Sequence, residues 1–311
     1  MQFILFLALL PTCLLNANRM TIGIYSRVLK EEHIPYVVEL IAQLSNKKIT
    51  FFVFDEYYKA LKKHLPKQKI NTFKNHQDVK KNIDLLITLG GDGTLLDTLH
   101  LVRDSEIPVA GINMGRLGFL ADIHKEEIKE LIESIEQNTY SIEDRTLISV
   151  ETSRPVFGEV NYGLNEFTIH KTDSSSMIVV HVYLNGEFLN SFWADGLIIA
   201  TPTGSTAYSL SCGGPIVFPT SGTFVLTPVA PHNLNARPII IADNTVLSFE
   251  VECRSNNFLC SIDSRSVNID NTFQLAVKKA GFSFKLLRMP ESSYLSTLRE
   301  KLNWGEDSRN S

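Results

Sequence analysis

Residues 84–99 read Asp84-Leu85-Leu86-Ile87-Thr88-Leu89-Gly90-Gly91-Asp92-Gly93-Thr94-Leu95-Leu96-Asp97-Thr98-Leu99. The apolar run from Leu85 to Leu89 has the pattern of a strand buried on both faces in a parallel sheet. Three glycines and an aspartate follow at once. Leu95, Leu96, Leu99 and Val102 then recur at helical spacing. The reading is strand, glycine turn, helix. Glycine lets a ligand approach the bare backbone. A helix start presents unpaired N–H groups and a positive dipole end, both suited to phosphate. Gly90, Gly91, Gly93 and Thr94 are therefore candidate phosphate-binding positions. Asp92 stands where a carboxylate would repel phosphate. An acid there makes sense if it holds a metal ion, a sugar hydroxyl or a proton. An ordinary βα turn would explain a lone Gly-Asp-Gly equally well, but the longer run much less so.

Outward from this stretch, strand and helix alternate. Residues 22–25 and 49–54 read as strands. Val37, Val38, Leu40, Ile41 and Leu44 mark an amphipathic helix with Pro35 in its first turn. Residues 57–65 form a short helix, and the polar stretch 71–82 leads into the central strand. Residues 108–112 are a further strand and 126–137 a helix. Such alternation predicts an open, doubly wound sheet with ligands beyond the carboxyl ends of its strands. The glycine turn lies at one such end, and the loop 113–120 at the next.

Near residue 142 the texture changes to short strands at 147–152, 164–170, 177–184, 187–193, 197–200, 224–229, 239–241, 246–253, 258–262, 273–278 and 282–287. Asn185-Gly186 is the strongest hairpin signal. An all-β, β-sandwich-like domain is expected. The predicted division is 20–142 for the α/β domain, 143–288 for the β domain and 289–311 for a tail. Tyr294, Leu295, Leu298 and Leu302 give that tail the spacing of an amphipathic helix.

Three polar groups in the β region carry chemistry. Asn165-Glu166 interrupts an apolar strand and suits nucleoside hydroxyls or an amide. Within a strand the two side chains point to opposite faces unless a bulge intervenes. Ala194-Asp195-Gly196 is either a β-turn or a carboxylate presented at a strand start. Thr201-Pro202-Thr203-Gly204-Ser205-Thr206-Ala207-Tyr208-Ser209-Leu210-Ser211-Cys212-Gly213-Gly214-Pro215 follows a strand and opens a short helix at Thr206, a phosphate- or ribose-binding arrangement. Tyr208 is placed to stack on a base or nicotinamide.

The chain has 311 residues, 44% hydrophobic and 21% charged, enough for two cores. A net charge of −4 without a long basic run argues against nucleic-acid or anionic-membrane partners. Cys13, Cys212, Cys253 and Cys260 show no C-x-x-C spacing, so cytosolic thiols are expected. Residues 1–19 carry an apolar run too short to span a bilayer, with no preceding Lys or Arg and no small-x-small cleavage site. They are either a leader or a mis-assigned start. The strand pattern that opens at Met20 favours the second.

Taken in order, Gly90-Gly91-Asp92-Gly93-Thr94, Gly111-Ile112-Asn113 to Leu117-Gly118-Phe119-Leu120, Leu164-Asn165-Glu166, Asp195-Gly196 and Thr201 to Pro215 resemble the NAD kinase family. Diacylglycerol- and sphingosine-type lipid kinases share the glycine signature, but typically continue with an Asn-Glu pair where this chain has Leu95-Leu96-Asp97. A non-catalytic dinucleotide sensor is the other rival, and the presence of Asp92 counts against it. There is no Walker A sequence and no protein-kinase signature set.

The resemblance implies an α/β domain, a β domain and a chain end returning to the first. It implies ATP and NAD as substrates, a divalent metal, most simply Mg²⁺, and transfer of the γ-phosphoryl group to the adenosine ribose 2′-hydroxyl. The family's base falls on Asp92, with Gly93 beside it in NAD binding. Its Asn-Glu pair falls on Asn165 and Glu166, and an NAD-contacting aspartate on Asp195. Its ligand-lining stretch falls on Thr206, Ala207, Tyr208, Ser209, Leu210 and Ser211, with Thr203 and Ala230 adjoining. No metal ligand is assigned. A cytoplasmic homodimer or homotetramer is expected. The chain departs from the family at Trp193, where a basic residue is common, at Arg265, where glutamine is common, and at Ser176, where some members have histidine.

Overall fold

The computed structural model describes residues 20–65, 70–172 and 176–303. The expected leader or mis-assigned start, residues 1–19, lies outside the described residues. From Met20 the chain forms β1 (Thr21–Tyr25), α1 (Ile34–Asn46), β2 (Thr50–Phe54), α2 (Asp55–Leu61), β3 (Asn71–Phe73), α3 (His76–Asn82) and β4 (Leu85–Gly90). In α1 the buried residues are Val37, Leu40, Ile41 and Leu44, one face of a 3.6-residue period. After the glycine turn come α4 (Asp92–Asp97), α5 (Leu99–Val102), β5 (Val109–Asn113), β6 (Ile123–His124) and α6 (Ile128–Gln137). Strands β5, β4, β1, β2 and β3 lie side by side in that order, all parallel.

Two details correct the sequence reading. The polar stretch 71–82 holds both β3 and α3. β3 is a short edge strand with Asn71 exposed, and α3 starts on an Asn75 cap that accepts from the Asp78 amide. Neither needs an apolar stripe, so periodicity does not reveal them. The helix after the glycine turn is also divided. The buried Thr98 hydroxyl donates to the Leu95 carbonyl at 2.6 Å where α4 gives way to α5.

The β region comprises β7 (Ser141–Thr152), β8 (Tyr162–Gly163), β9 (Glu166–Lys171), β10 (Ile178–Leu184), β11 (Glu187–Ala194), β12 (Gly196–Ala200), a helical turn α7 (Tyr208–Ser211), β13 (Thr223–Val229), β14 (Ile239–Ala242), β15 (Leu247–Glu252), β16 (Asn257–Ile262), β17 (Arg265–Asp270) and β18 (Leu275–Arg288). Asn185 and Gly186 both have positive φ, 51° and 86°, as their two-residue hairpin requires. β17 is an edge strand that alternates Arg265, Ser266, Asn268 and Asp270 with apolar residues, too polar to stand out in the sequence. Residues 273–278 and 282–287, read as two strands, lie largely on the single strand β18, whose register against β7 shifts between Lys279 and Ser283.

β14-β13-β12-β9-β16-β17 form a six-stranded sheet. It packs on β7, β10, β15 and β18 through Phe167, Ile199, Leu226, Phe249 and Val277. β18 also pairs in parallel with β5 at Leu286 and Val109, which joins the two regions in one sheet. The tail forms α8 (Tyr294–Leu302), which buries Thr297 and Leu298. The Tyr294 ring lies 6.4 Å from Phe119 and 5.4 Å from Phe218. Leu295, expected on the apolar stripe, is exposed.

Candidate active site

The site begins where β4 ends. Asp92 opens α4, and its carboxylate is held by three successive backbone amides of the next loop. Phe119 N–H donates to Oδ2 at 2.9 Å, and Leu120 and Ala121 N–H donate to Oδ1 at 3.1 and 2.9 Å. A Cβ at Gly118 would sit 1.9 Å from Asp92 Oδ1, so only glycine lets the loop close around the carboxylate. Asn113 shapes that loop. Its Oδ1 accepts from Gly115 N–H at 2.7 Å, and its Nδ2 donates to the Arg116 and Ala121 carbonyls. Gly90 ends β4 with Thr94 beside it. Gly91 and Gly93 face open space and lie outside the left-handed region. The fold itself would admit a side chain at both, so their bareness suits close approach of a ligand.

A second turn is built in the same way. Asp263 accepts from the amides of Leu164, Asn165 and Glu166 at 2.9, 2.8 and 3.1 Å. Arg265 donates to the Val160 and Tyr162 carbonyls, so this departure from the family has a structural task. Asn165 lies before β9 rather than in it, and strand alternation does not govern where it points. Its carbonyl accepts from Thr201 N–H at 2.8 Å. Glu166 is buried, and its Oε2 has no hydrogen-bond partner among the described residues. Burial, and then the neighbouring Asp263, push its carboxyl up to about 8, against the Tyr208 amide.

The third segment is folded on its own hydroxyls. Thr201 Oγ1 donates to the Leu164 carbonyl at 2.5 Å and accepts from Gly204 N–H at 3.1 Å. Ser205 Oγ donates to the Pro202 carbonyl at 2.7 Å and accepts from Val217 N–H at 3.0 Å. Ser209 Oγ meets Thr227 Oγ1 at 2.8 Å, fully buried. Thr206 Oγ1 donates to the Thr203 carbonyl at 3.1 Å. The loop therefore presents few free hydroxyls. Thr206, Ala207 and Leu210 are half-buried, Tyr208 and Ser211 exposed, and Thr203 buried. The Tyr208 ring stacks on His170 at 5.6 Å and 28°. Burial lowers the His170 pKa, opposed by a hydrogen bond that its ring makes to the Asp195 backbone carbonyl and by the Asp195 charge. Asp195 Oδ1 pairs with Lys171 at 2.6 Å. Exposed Ala230 follows β13 with φ of 44°. Trp193 and Ser176 line one hollow with Lys171, Cys253 and Arg254.

Residues the sequence reading missed connect these parts. Arg145, 1% exposed, donates from Nη1 to Thr203 Oγ1 at 3.2 Å and from Nη2 to Glu143 at 2.9 Å. Arg288 donates to the same Glu143 oxygen at 2.9 Å, to the Phe119 carbonyl at 3.5 Å, and pairs with Asp122. Burial opposes the Glu143 carboxylate, yet the two guanidiniums hold its pKa below the ordinary value. Burial raises Asp122 and lowers Arg145. Contacts thus run from Asp92 through Phe119, Arg288, Glu143 and Arg145 to Thr203. Glu143 and Arg145 share β7, while Arg288 comes from β18 and Asp122 from the loop before β6, so no sequence spacing announces the cluster.

The described residues contain no group of three His, Cys, Asp or Glu able to hold a metal, and no helix long and apolar enough to cross a membrane. Residues 17–140 match the ATP-NAD kinase N-terminal domain and 164–289 the ATP-NAD kinase C-terminal domain. An NAD kinase of Cytophaga hutchinsonii is 46% identical over 94% of this chain and all of its own length. One of Flavobacterium psychrophilum is 43% identical over 94% of this chain and all of its own length. Among solved structures, yeast NADH kinase complexed with NADH superposes with a TM-score of 0.83 at 24% identity, covering 94% of this chain and 90% of that one. An Archaeoglobus fulgidus NAD kinase in complex with ATP gives 0.71 at 22% identity, covering 92% of this chain and all of that one. These two likenesses bear on the fold. With both domain models matched in order and relatives similar along their whole length, the chain belongs to the NAD kinase family and phosphorylates NAD.

Proposed function

We propose that the chain transfers the γ-phosphoryl group of ATP to the 2′-hydroxyl of the adenosine ribose of NAD, with Asp92 as general base. The observation that carries this reading is the Asp92 carboxylate, half-buried and fixed by three amides between two open glycines. A ribose hydroxyl is a poor nucleophile at neutral pH. A carboxylate within hydrogen-bond reach takes its proton as the bond to phosphorus forms. The amides of Phe119, Leu120 and Ala121 fix the carboxylate before substrate arrives, so little reorganisation remains for the reactive step. Asn165, Glu166, Tyr208 and Asp195 form the NAD side. Thr203 and Ser209 act from within, through Arg145 and Thr227. Gly90, Gly91, Gly93 and Thr94 form the phosphate side.

A divalent metal fits this donor set only as a companion of the nucleotide. Mg²⁺ is commonly held by one or two carboxylates plus substrate phosphates, and Asp92 is the one carboxylate of the turn. Bound on the phosphates, the ion would neutralise their charge. We also read the chain as cytoplasmic, in line with four cysteines that lack paired spacing, and as a homodimer or homotetramer by its membership of the NAD kinase family; light scattering of the purified chain reports its mass directly. The function is tested by incubating the purified chain with ATP, Mg²⁺ and either NAD or a diacylglycerol. The expected product is NADP, recognised by an NADP-specific dehydrogenase. Phosphorylated lipid, or a dinucleotide phosphate that the dehydrogenase rejects, overturns the reading.

A further inference from the structure

In the α/β region the strand order is β5-β4-β1-β2-β3. The chain therefore leaves β1 toward one edge and β4 toward the other, and the crevice between their following loops is a topological switch point, where open α/β sheets take ligands. The glycine turn forms one wall. Ser26 and Arg27 form the other. Ser26 is buried and donates to the Leu89 carbonyl at 2.6 Å, next to Gly90. The Arg27 side chain is 59% exposed, yet it is not loose. Its Nε and Nη2 grip both oxygens of Asp97, which is 12% exposed on the helix that starts at the glycine turn. A guanidinium has five N–H donors. Asp97 engages one side of the fork and the Tyr25 hydroxyl takes a further contact, so of the five donors some remain for a second anion. The turn itself supplies three uncharged glycines and one acid, Asp92, so a polyphosphate entering here needs a cation from outside it.

We propose that Arg27 determines recognition of the phosphoryl donor: held at the switch-point crevice by Asp97, its guanidinium engages the polyphosphate of the nucleoside triphosphate. The proposal rests on ATP being the donor, as read above. An arginine fork matches phosphate oxygens in bidentate fashion, which a lysine ammonium does not.

Steady-state kinetics of the full chain with ATP and NAD test it. Arg27→Ala should raise KM for ATP by about 10–100-fold, the size of a charge-assisted contact, with KM for NAD within about twofold. Arg27→Lys should recover part of the loss. Lys47→Ala removes a cation that pairs with Glu136, and should leave both constants unchanged. An unaltered KM for ATP in Arg27→Ala, an equal rise for both substrates, or the same effect from Lys47→Ala overturns the proposal. Calorimetric titration of ATP into the wild-type chain and Arg27→Ala separates this contact from the donor reading. Weaker binding in the variant supports the contact even if no NADP forms. Equal affinity sinks it even if NADP does.

Discussion

Asp92 and Asp263 are the same device used twice. Each carboxylate accepts hydrogen bonds from three consecutive amides, Phe119 to Ala121 in one case and Leu164 to Glu166 in the other. A glycine precedes each trio: at Gly118 the Asp92 carboxylate takes the space of a Cβ, and at Gly163 the Ile262 side chain and then the Asp263 carboxylate do. The surroundings differ. Asp92 lies between Gly91 and Gly93, which face open space. Asp263 sits at a tight turn with φ of 50°, next to Arg265, and burial pushes its carboxyl above its ordinary range. Three amides fix a carboxylate, but access to it decides whether it can act on a substrate. On this comparison we propose Asp92 as the chemical carboxylate, while Asp263 shapes the Asn165-Glu166 turn through its three amides.

The largest expected effect comes from Asp92→Asn. Asparagine cannot take a proton, so single-turnover phosphoryl transfer at saturating ATP, NAD and Mg²⁺ should slow by about 10²–10⁴-fold. The new amide also sets an NH₂ against a backbone N–H donor, so the variant should lose about 1–3 kcal/mol of stability. A rate within about threefold of wild type would rule out an essential base.

Glu166 supplies the next test. Its carboxyl is raised from 4.5 to about 8, so the folded protein holds this proton more tightly than the unfolded chain. The stability it contributes is complete below about pH 4.5, declines as pH rises, and is lost above about pH 8. Glu166→Gln should remove that slope, with a gain over wild type on the order of 4 kcal/mol at pH 8.5 relative to pH 5. Urea denaturation at the two pH values reads it directly. Parallel curves for the two proteins would show that Glu166 ionises freely.

Asp263→Asn should cost about 1–3 kcal/mol of stability, as Asp92→Asn does, for the same reason of a mismatched donor. Single-turnover transfer at saturation should stay within about tenfold of wild type, the defect lying in NAD affinity. If the chemical step of Asp263→Asn fell as far as that of Asp92→Asn, the distinction between the two aspartates would collapse. The smallest effect is expected for Asn165→Ala. Its side chain is only half-buried, so NAD binding should weaken by about 1 kcal/mol and ATP binding less. Equal losses for both nucleotides in a calorimetric titration would assign it to structure alone.

The sequence by itself determined the parallel sheet, the glycine turn with Asp92, the Asn185-Gly186 hairpin, the β-rich second region and the tail helix. Each follows from short-range rules: strand and helix periods, the positive φ of Asn-Gly, the bare backbone of glycine. The family motifs carried the rest of the functional reading. Only the tertiary structure decided what holds those motifs. Asp92 lies 27 to 29 residues from its three amides, and Asp263 97 to 99 from its own. Arg145 reaches 58 residues to Thr203, and Arg288 169 to the Phe119 carbonyl. A charge in a strand reads locally as a solvated face, and its partner is fixed by which strands the sheet places side by side. That placement comes from β18 returning to pair with both β5 and β7. Such pairing costs loop-closure entropy and is decided by the burial of whole faces, which no local spacing encodes.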